Sequence, residues 1–74
     1  MKTVLLTAVI EREDDAYVAL CPELDIASQG SSVDEARMNL REAVEGFFEA
    51  ADADEVTRRL GAERRVESLE ISVA

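Results

Sequence analysis

Few residues in this 74-residue chain have side chains that could do chemistry, and each group of them has a plainer alternative reading. Glu13, Asp14 and Asp15 stand in a row and could hold a divalent cation or dock a basic partner. Metal-assisted hydrolysis needs carboxylates converging from separate elements on ions about 4 Å apart, which three consecutive acids rarely achieve. A solvated hairpin tip is the simpler reading of the run. Cys21 precedes Pro22 and Glu23. A reactive thiolate needs electropositive surroundings, and Glu23 and Asp25 oppose that, so a structural thiol is expected. Arg58, Arg59, Arg64 and Arg65 could touch nucleic acid, but Asp54, Glu55, Glu63 and Glu67 lie among them and favour local ion pairing. Gly30 lacks the glycine-rich neighbours of a phosphate cradle and reads as a residue with positive φ before a helix. With no histidine and one cysteine, the chain offers no histidine base, no Ser-His or Cys-His pair, no intrachain disulfide and no cysteine zinc cage. No catalytic residue, metal or cofactor is expected.

The elements that position these groups follow from hydrophobic spacing. Lys2 to Arg12 predicts a strand, with Val4, Leu6, Ala8 and Ile10 on one face and Thr3, Leu5, Thr7 and Val9 on the other. Glu11 to Asp15 is a charged break suited to a hairpin tip. Ala16 to Cys21 predicts a second strand, ended by Pro22, which cannot donate a ladder hydrogen bond. Ile26 to Gln29 predicts a third, punctuated by Gly30. Ser32-Val33-Asp34-Glu35 has the form of a capping box. Val33, Ala36, Leu40, Ala43, Val44, Phe47 and Ala51 then recur at helical spacing, predicting a helix from 33 to 51 about 28 Å long. Arg37 with Glu45, and Arg41 with Glu42 and Glu45, read as its solvated face. Ala53 to Leu60 predicts a short helix, capped by Asp52 or Asp54 and stopped by Gly61. Val66 to Val73 predicts a final strand, with Leu69, Ile71 and Val73 opposite Ser68, Glu70 and Ser72.

The expected fold is therefore α+β, a single domain over 1–74 in the order β-β-β-α-(short α)-β, with a four-strand, mainly antiparallel sheet and one long helix on one face. A single helix covers only one face of such a sheet. The other face would expose Leu5 and Val9, and exposed apolar surface of that kind usually marks an interface. Leu5, Val9 and Phe48, which falls beside the helical stripe, are the candidate residues of a homo-oligomer contact. A chain this short removes only about 60% of its unfolded surface from water on folding, which makes help from self-association plausible.

The charge is −9, from 17 acids against 8 bases. Nucleic acids and anionic membranes call for a basic footprint, so neither is expected as a direct ligand. A basic protein partner would be steered toward the chain; alternatively the acids serve only solubility. The longest mainly apolar run, Val4 to Ile10, is far short of the ~20 residues that span a bilayer. With no secretory signal pattern at the N-terminus, a cytoplasmic location is expected.

Four segments in order carry a resemblance: Tyr17-Val18-Ala19-Leu20-Cys21-Pro22-Glu23-Leu24, Ser28-Gln29-Gly30, Ser32-Val33-Asp34-Glu35-Ala36 and Asn39-Leu40-Arg41-Glu42-Ala43. Together they resemble the HicB family, over residues 2–49. The resemblance implies a partial ribonuclease H-like fold and an antitoxin role, in which HicB proteins bind and silence HicA toxins, small basic ribonucleases that cleave messenger RNA. Many HicB proteins add a C-terminal DNA-binding domain. This sequence ends at Ala74 after its last predicted strand, so DNA binding and autorepression are not carried over. Asp25-Ile26 stands where relatives often have Pro-Gly. The expected function is a protein-binding module that occludes a small basic toxin, with Tyr17, Glu23, Leu24 and Asp25 as its candidate partner-binding residues. The alternative is an orphan homo-oligomeric regulator or scaffold with no toxin.

Overall fold

The structure, a computed structural model, describes residues 3–74. Lys2, the first position of the predicted first strand and of the HicB-like stretch, lies outside the described residues. Five elements follow one another: β1 (Val9–Glu13), β2 (Ala16–Cys21), β3 (Ile26–Gly30), α1 (Val33–Ala50) and α2 (Ala53–Gly61). The strands form an antiparallel sheet in the order β1-β2-β3. Register places Val9 opposite Leu20 and Leu20 opposite Ala27.

The α+β class stands, with three strands rather than four. Residues 66–73 form no strand in the chain; Val66, Leu69, Ile71 and Val73 are 65–87% exposed. Alternation gives a segment its two faces, but a strand exists only when its backbone groups find a neighbouring edge. The first strand is also shorter than its hydrophobic pattern. Pairing starts at Val9, opposite Leu20, one residue before β2 ends at Cys21. At the other end β1 runs through the charged stretch to Glu13, so the hairpin tip shrinks to Asp14 and Asp15. Asp14 makes the turn at φ 56°, a left-handed conformation that aspartate tolerates better than most residues. Its carbonyl accepts a hydrogen bond from Arg12 Nε at 3.1 Å.

Both helices begin where their caps predict. Ser32 Oγ accepts from the Glu35 amide at 3.1 Å, while the Glu35 carboxylate reaches one residue further back, to the Ser31 amide at 2.9 Å. Asp52 Oδ1 accepts from the Glu55 amide at 2.8 Å and starts α2. On the exposed face of α1, Arg41 pairs with Glu45 at 3.8 Å and Arg37 with Asp34 at 2.9 Å.

The core lies between α1 and the inner face of the sheet. Its buried members are Ala19, Cys21, Leu24, Ala36 and Leu40. Leu6, Ile10, Tyr17, Ile26, Val44, Phe47 and Phe48 pack around them, half-buried. Val33 and Ala43, on the predicted stripe, remain exposed. Gly30 does not supply the expected positive φ. It is small because the helix arrives there: a Cβ on Gly30 would sit 2.6 Å from the Ala36 backbone nitrogen and 2.8 Å from the Glu35 carbonyl carbon. Both neighbours are backbone in the first turn of α1, so no side-chain rotation relieves the clash.

Gly30→Ala therefore lowers stability by about 1–3 kcal/mol, the usual cost of overpacking, even though alanine suits a strand no worse than glycine. Urea unfolding of the two proteins measures the difference. Equal midpoints would show that α1 does not approach β3 this closely.

Candidate functional site

The richest polar constellation lies where β2 turns into β3. Pro22 ends the β2 ladder, and the Leu24 amide closes the turn onto the Cys21 carbonyl at 3.3 Å. Asp25 then reverses the chain at φ 55°, a conformation that favours glycine but that aspartate can also adopt.

The turn directs its two apolar groups inward. Leu24 is 1% exposed and Cys21 is equally buried. Leu24, expected as an apolar anchor for a partner, is thus a core residue; the short turn leaves it no way to face solvent. Asp25 is exposed, and Tyr17 is half-buried against the core with its strand neighbours.

Glu23 is occupied within the chain. Its carboxylate accepts the Thr7 amide at 2.9 and 3.1 Å and the Thr7 hydroxyl at 2.6 Å, and the Cys21 thiol at 3.5 Å. These bonds fasten the segment before β1 to the β2–β3 turn. Partial burial alone would raise the Glu23 carboxyl. The hydrogen bonds from Thr7 and Cys21, with that from its own backbone amide, outweigh it and hold the group below the ordinary glutamate range. The same proximity acts oppositely on Cys21. Burial pushes its thiol up, the Leu24 amide partly offsets this, and the hydrogen bond and negative charge of Glu23 push it up further. The arrangement stabilises a protonated, sheltered thiol, the opposite of a nucleophile.

Arg59 completes this corner. It donates from Nη1 to the Leu24 carbonyl, lies 5.1 Å over the Phe47 ring, and pairs with Glu55 at 3.3 Å. Phe47 in turn meets Phe48 edge to face, with centroids 5.5 Å apart. Sequence reasoning missed both Thr7 and Arg59. The signal for Arg59 is its place on one face of α2 with Glu55 and Val56, the half-buried positions of an otherwise solvated helix. For Thr7, nothing in the local pattern signals a bond to a residue 16 positions away.

The acidic tip lies elsewhere. Asp14 and Asp15 border an open concavity of about 640 Å³ that also takes in Glu13, Gln29, Ser31 and Glu35. Among the described residues, no three carboxylate or thiol groups converge closely enough to hold a metal ion. Arg65 pairs with Glu63 at 3.8 Å, as the interleaved charges suggest. Of the expected oligomer residues, Leu5 is 92% and Val9 42% exposed, while Phe48 is half-buried against the core. No helix of the described residues is long and apolar enough to cross a membrane.

The fold and its sites define a small α+β protein with one helix-covered sheet face, an inert buried thiol and an acidic hairpin end. The comparison with known proteins narrows the class. The chain is 42% identical over 53 residues to a UPF0150 protein of Helicobacter pylori (strain J99), covering 70% of this chain and 74% of that one. It belongs to the UPF0150 family. No family model matches the chain, and no solved structure matches it.

Two outcomes follow from this corner. A carboxylate whose folded value is lowered adds stability above its unfolded value, about 4.3 for glutamate, and loses it as the pH falls through the folded value. The parent should therefore be more stable than Glu23→Gln at pH ~7, with the gap closing below about pH 4. Denaturant unfolding from pH 7 to 3 checks this; a constant gap would sink it. Cys21 should react with a disulfide reagent orders of magnitude more slowly in the native protein than in denaturant. Comparable rates would contradict its burial.

Proposed function

We propose that this chain is a HicB-like antitoxin-type module that binds a small, basic, HicA-type mRNA-cleaving toxin and silences it by occlusion. The observation that carries the reading is the open acidic concavity at the hairpin end, where Glu13, Asp14 and Asp15 stand beside the start of β2 and the end of β3. On a chain of net charge −9, that end is a receptor for lysine or arginine side chains. Membership of the UPF0150 family and the ordered HicB-like segments from Tyr17 to Ala43 support the same reading. In this mechanism no residue of the chain does chemistry. Long-range attraction brings the basic enzyme in, short-range ion pairs set its orientation, and the bulk of the small domain keeps RNA from its catalytic face.

A second reading, an orphan homo-oligomer without a toxin, is favoured by the bare outer face of the sheet. Val9, Leu20 and Ala27 lie side by side there, all exposed.

The test mixes the purified chain with a HicA-type ribonuclease and follows messenger RNA cleavage. Inhibition near one equivalent is expected. The double variant Asp14→Lys, Asp15→Lys should slow association at least about tenfold, and the parent's association should slow as salt rises. Undiminished cleavage at a large excess of the chain would overturn the antitoxin reading. Inhibition that ignores both charge reversal and salt would remove the acidic end from the mechanism.

A further inference from the structure

One chain carries both halves of an unfinished sheet. The first half is an edge. β1 is an outer strand, and beside the segment that leads into it runs a groove of about 230 Å³ beneath α1. Leu6, Cys21, Leu40 and Val44 line its floor, and Arg37, Arg41 and Glu45 stand on its α1 side, with Arg41 paired to Glu45 at 3.8 Å. The opposite edge of the sheet is less open: the Asn39 side chain donates to the Gln29 carbonyl of β3 at 2.7 Å.

The second half is the tail from 66 to 74. It alternates as a strand does, with Leu69, Ile71 and Val73 on one side, yet it pairs with no strand among the described residues and exposes those groups to water. Glu67 and Glu70 lie among its apolar residues. Apolar groups at strand spacing match the groove's apolar floor.

The cost of leaving the halves apart is visible in the surface. The chain exposes 6253 Å². A folded monomer of its mass exposes roughly 4,500 Å², an excess of roughly 1,800 Å². Stable interfaces bury about 1,600 Å² in total, so the excess on one chain is already enough for one. The Cα radius of gyration is 14.6 Å, against roughly 11 Å for a compact chain of this length. The structure stands open to the extent of one detached segment.

We propose that the tail is the fourth strand of a second copy's sheet: two chains exchange residues 66–74, each laying its Leu69, Ile71 and Val73 into the other's groove beside β1. Each copy gives and receives the same segment, so the contact is reciprocal and closes at a dimer. Exchange is favoured over folding back by the connection. α2 is pinned by Arg59, and only Ala62 to Arg65 separate it from the tail, the kind of short hinge that promotes swapping. The exchange is independent of whether the dimer meets a toxin.

Light scattering of the full chain at tens of micromolar should give the mass of a dimer. Leu69→Asp with Ile71→Asp should raise its dissociation constant on the order of a hundredfold or more while leaving the helical circular dichroism intact, because neither side chain belongs to the core. In a sample mixing 13C-labelled and unlabelled chains, intermolecular NOEs are expected from the methyls of Leu69, Ile71 and Val73 to those of Leu6, Leu40 and Val44. A monomeric parent overturns the proposal. So does a dimer untouched by the double substitution, or one in which those methyl contacts arise only within a chain or not at all.

Discussion

The rest of the structure depends on how closely α1 approaches the sheet. At Gly30 the helix backbone comes so near that a single added carbon would overlap it. Ala19 and Ala36, fully buried, continue the contact with the smallest side chains that can fill it. Close approach has two effects. It lets Leu40 and Leu24 seal a core that contains no large aromatic residue at its centre, and it places the capped start of α1 directly after β3. With so few buried groups, each carries a large share of the burial, and the hydrogen bonds at the margin matter correspondingly more.

Two polar fasteners serve that margin. Glu23 binds the incoming chain at Thr7 to the β2–β3 turn, and Arg59 binds α2 to the same turn through the Leu24 carbonyl. Both converge on a turn whose apolar residues point inward, so the turn is held from its outer side by charge-assisted bonds and from its inner side by burial. A carboxylate committed to Thr7 is poorly suited to recruit a partner, and an arginine stacked on Phe47 is poorly suited to bind RNA. The turn is structural.

Local patterns made much of this legible. Ser32 with Glu35, Asp52 before α2, Pro22 after β2 and the spacing of Ala36, Leu40, Val44 and Phe47 each locate an element through chemistry confined to a few neighbours. What escaped was non-local. Leu24 reads as a loop residue until the turn folds it under α1. Gly30 reads as a turn former until the helix that requires its smallness is in place. Thr7 and Glu23 lie 16 residues apart, and no periodicity connects them. The final strand shows a different failure: the alternation of Leu69, Ile71 and Val73 describes a segment fit for pairing, while pairing itself belongs to whichever edge it meets.

That distinction bears on how a chain of charge −9 could meet itself. Two copies repel at a distance, and any contact through the hairpin ends would set carboxylates against carboxylates. The groove beside β1 is different: Arg37 and Arg41 stand on its rim, while Asp34 and Glu45 already pair with them on the helix surface. There the alternating apolar residues of the tail would meet an apolar floor bordered by ion pairs rather than a run of unpaired carboxylates. Like-charge repulsion thus disfavours most self-contacts and leaves the apolar groove beside β1 available, while the acidic ends remain outward. One charge distribution can then serve two ends at once, discouraging indiscriminate association between copies and keeping an acidic surface free for a basic partner.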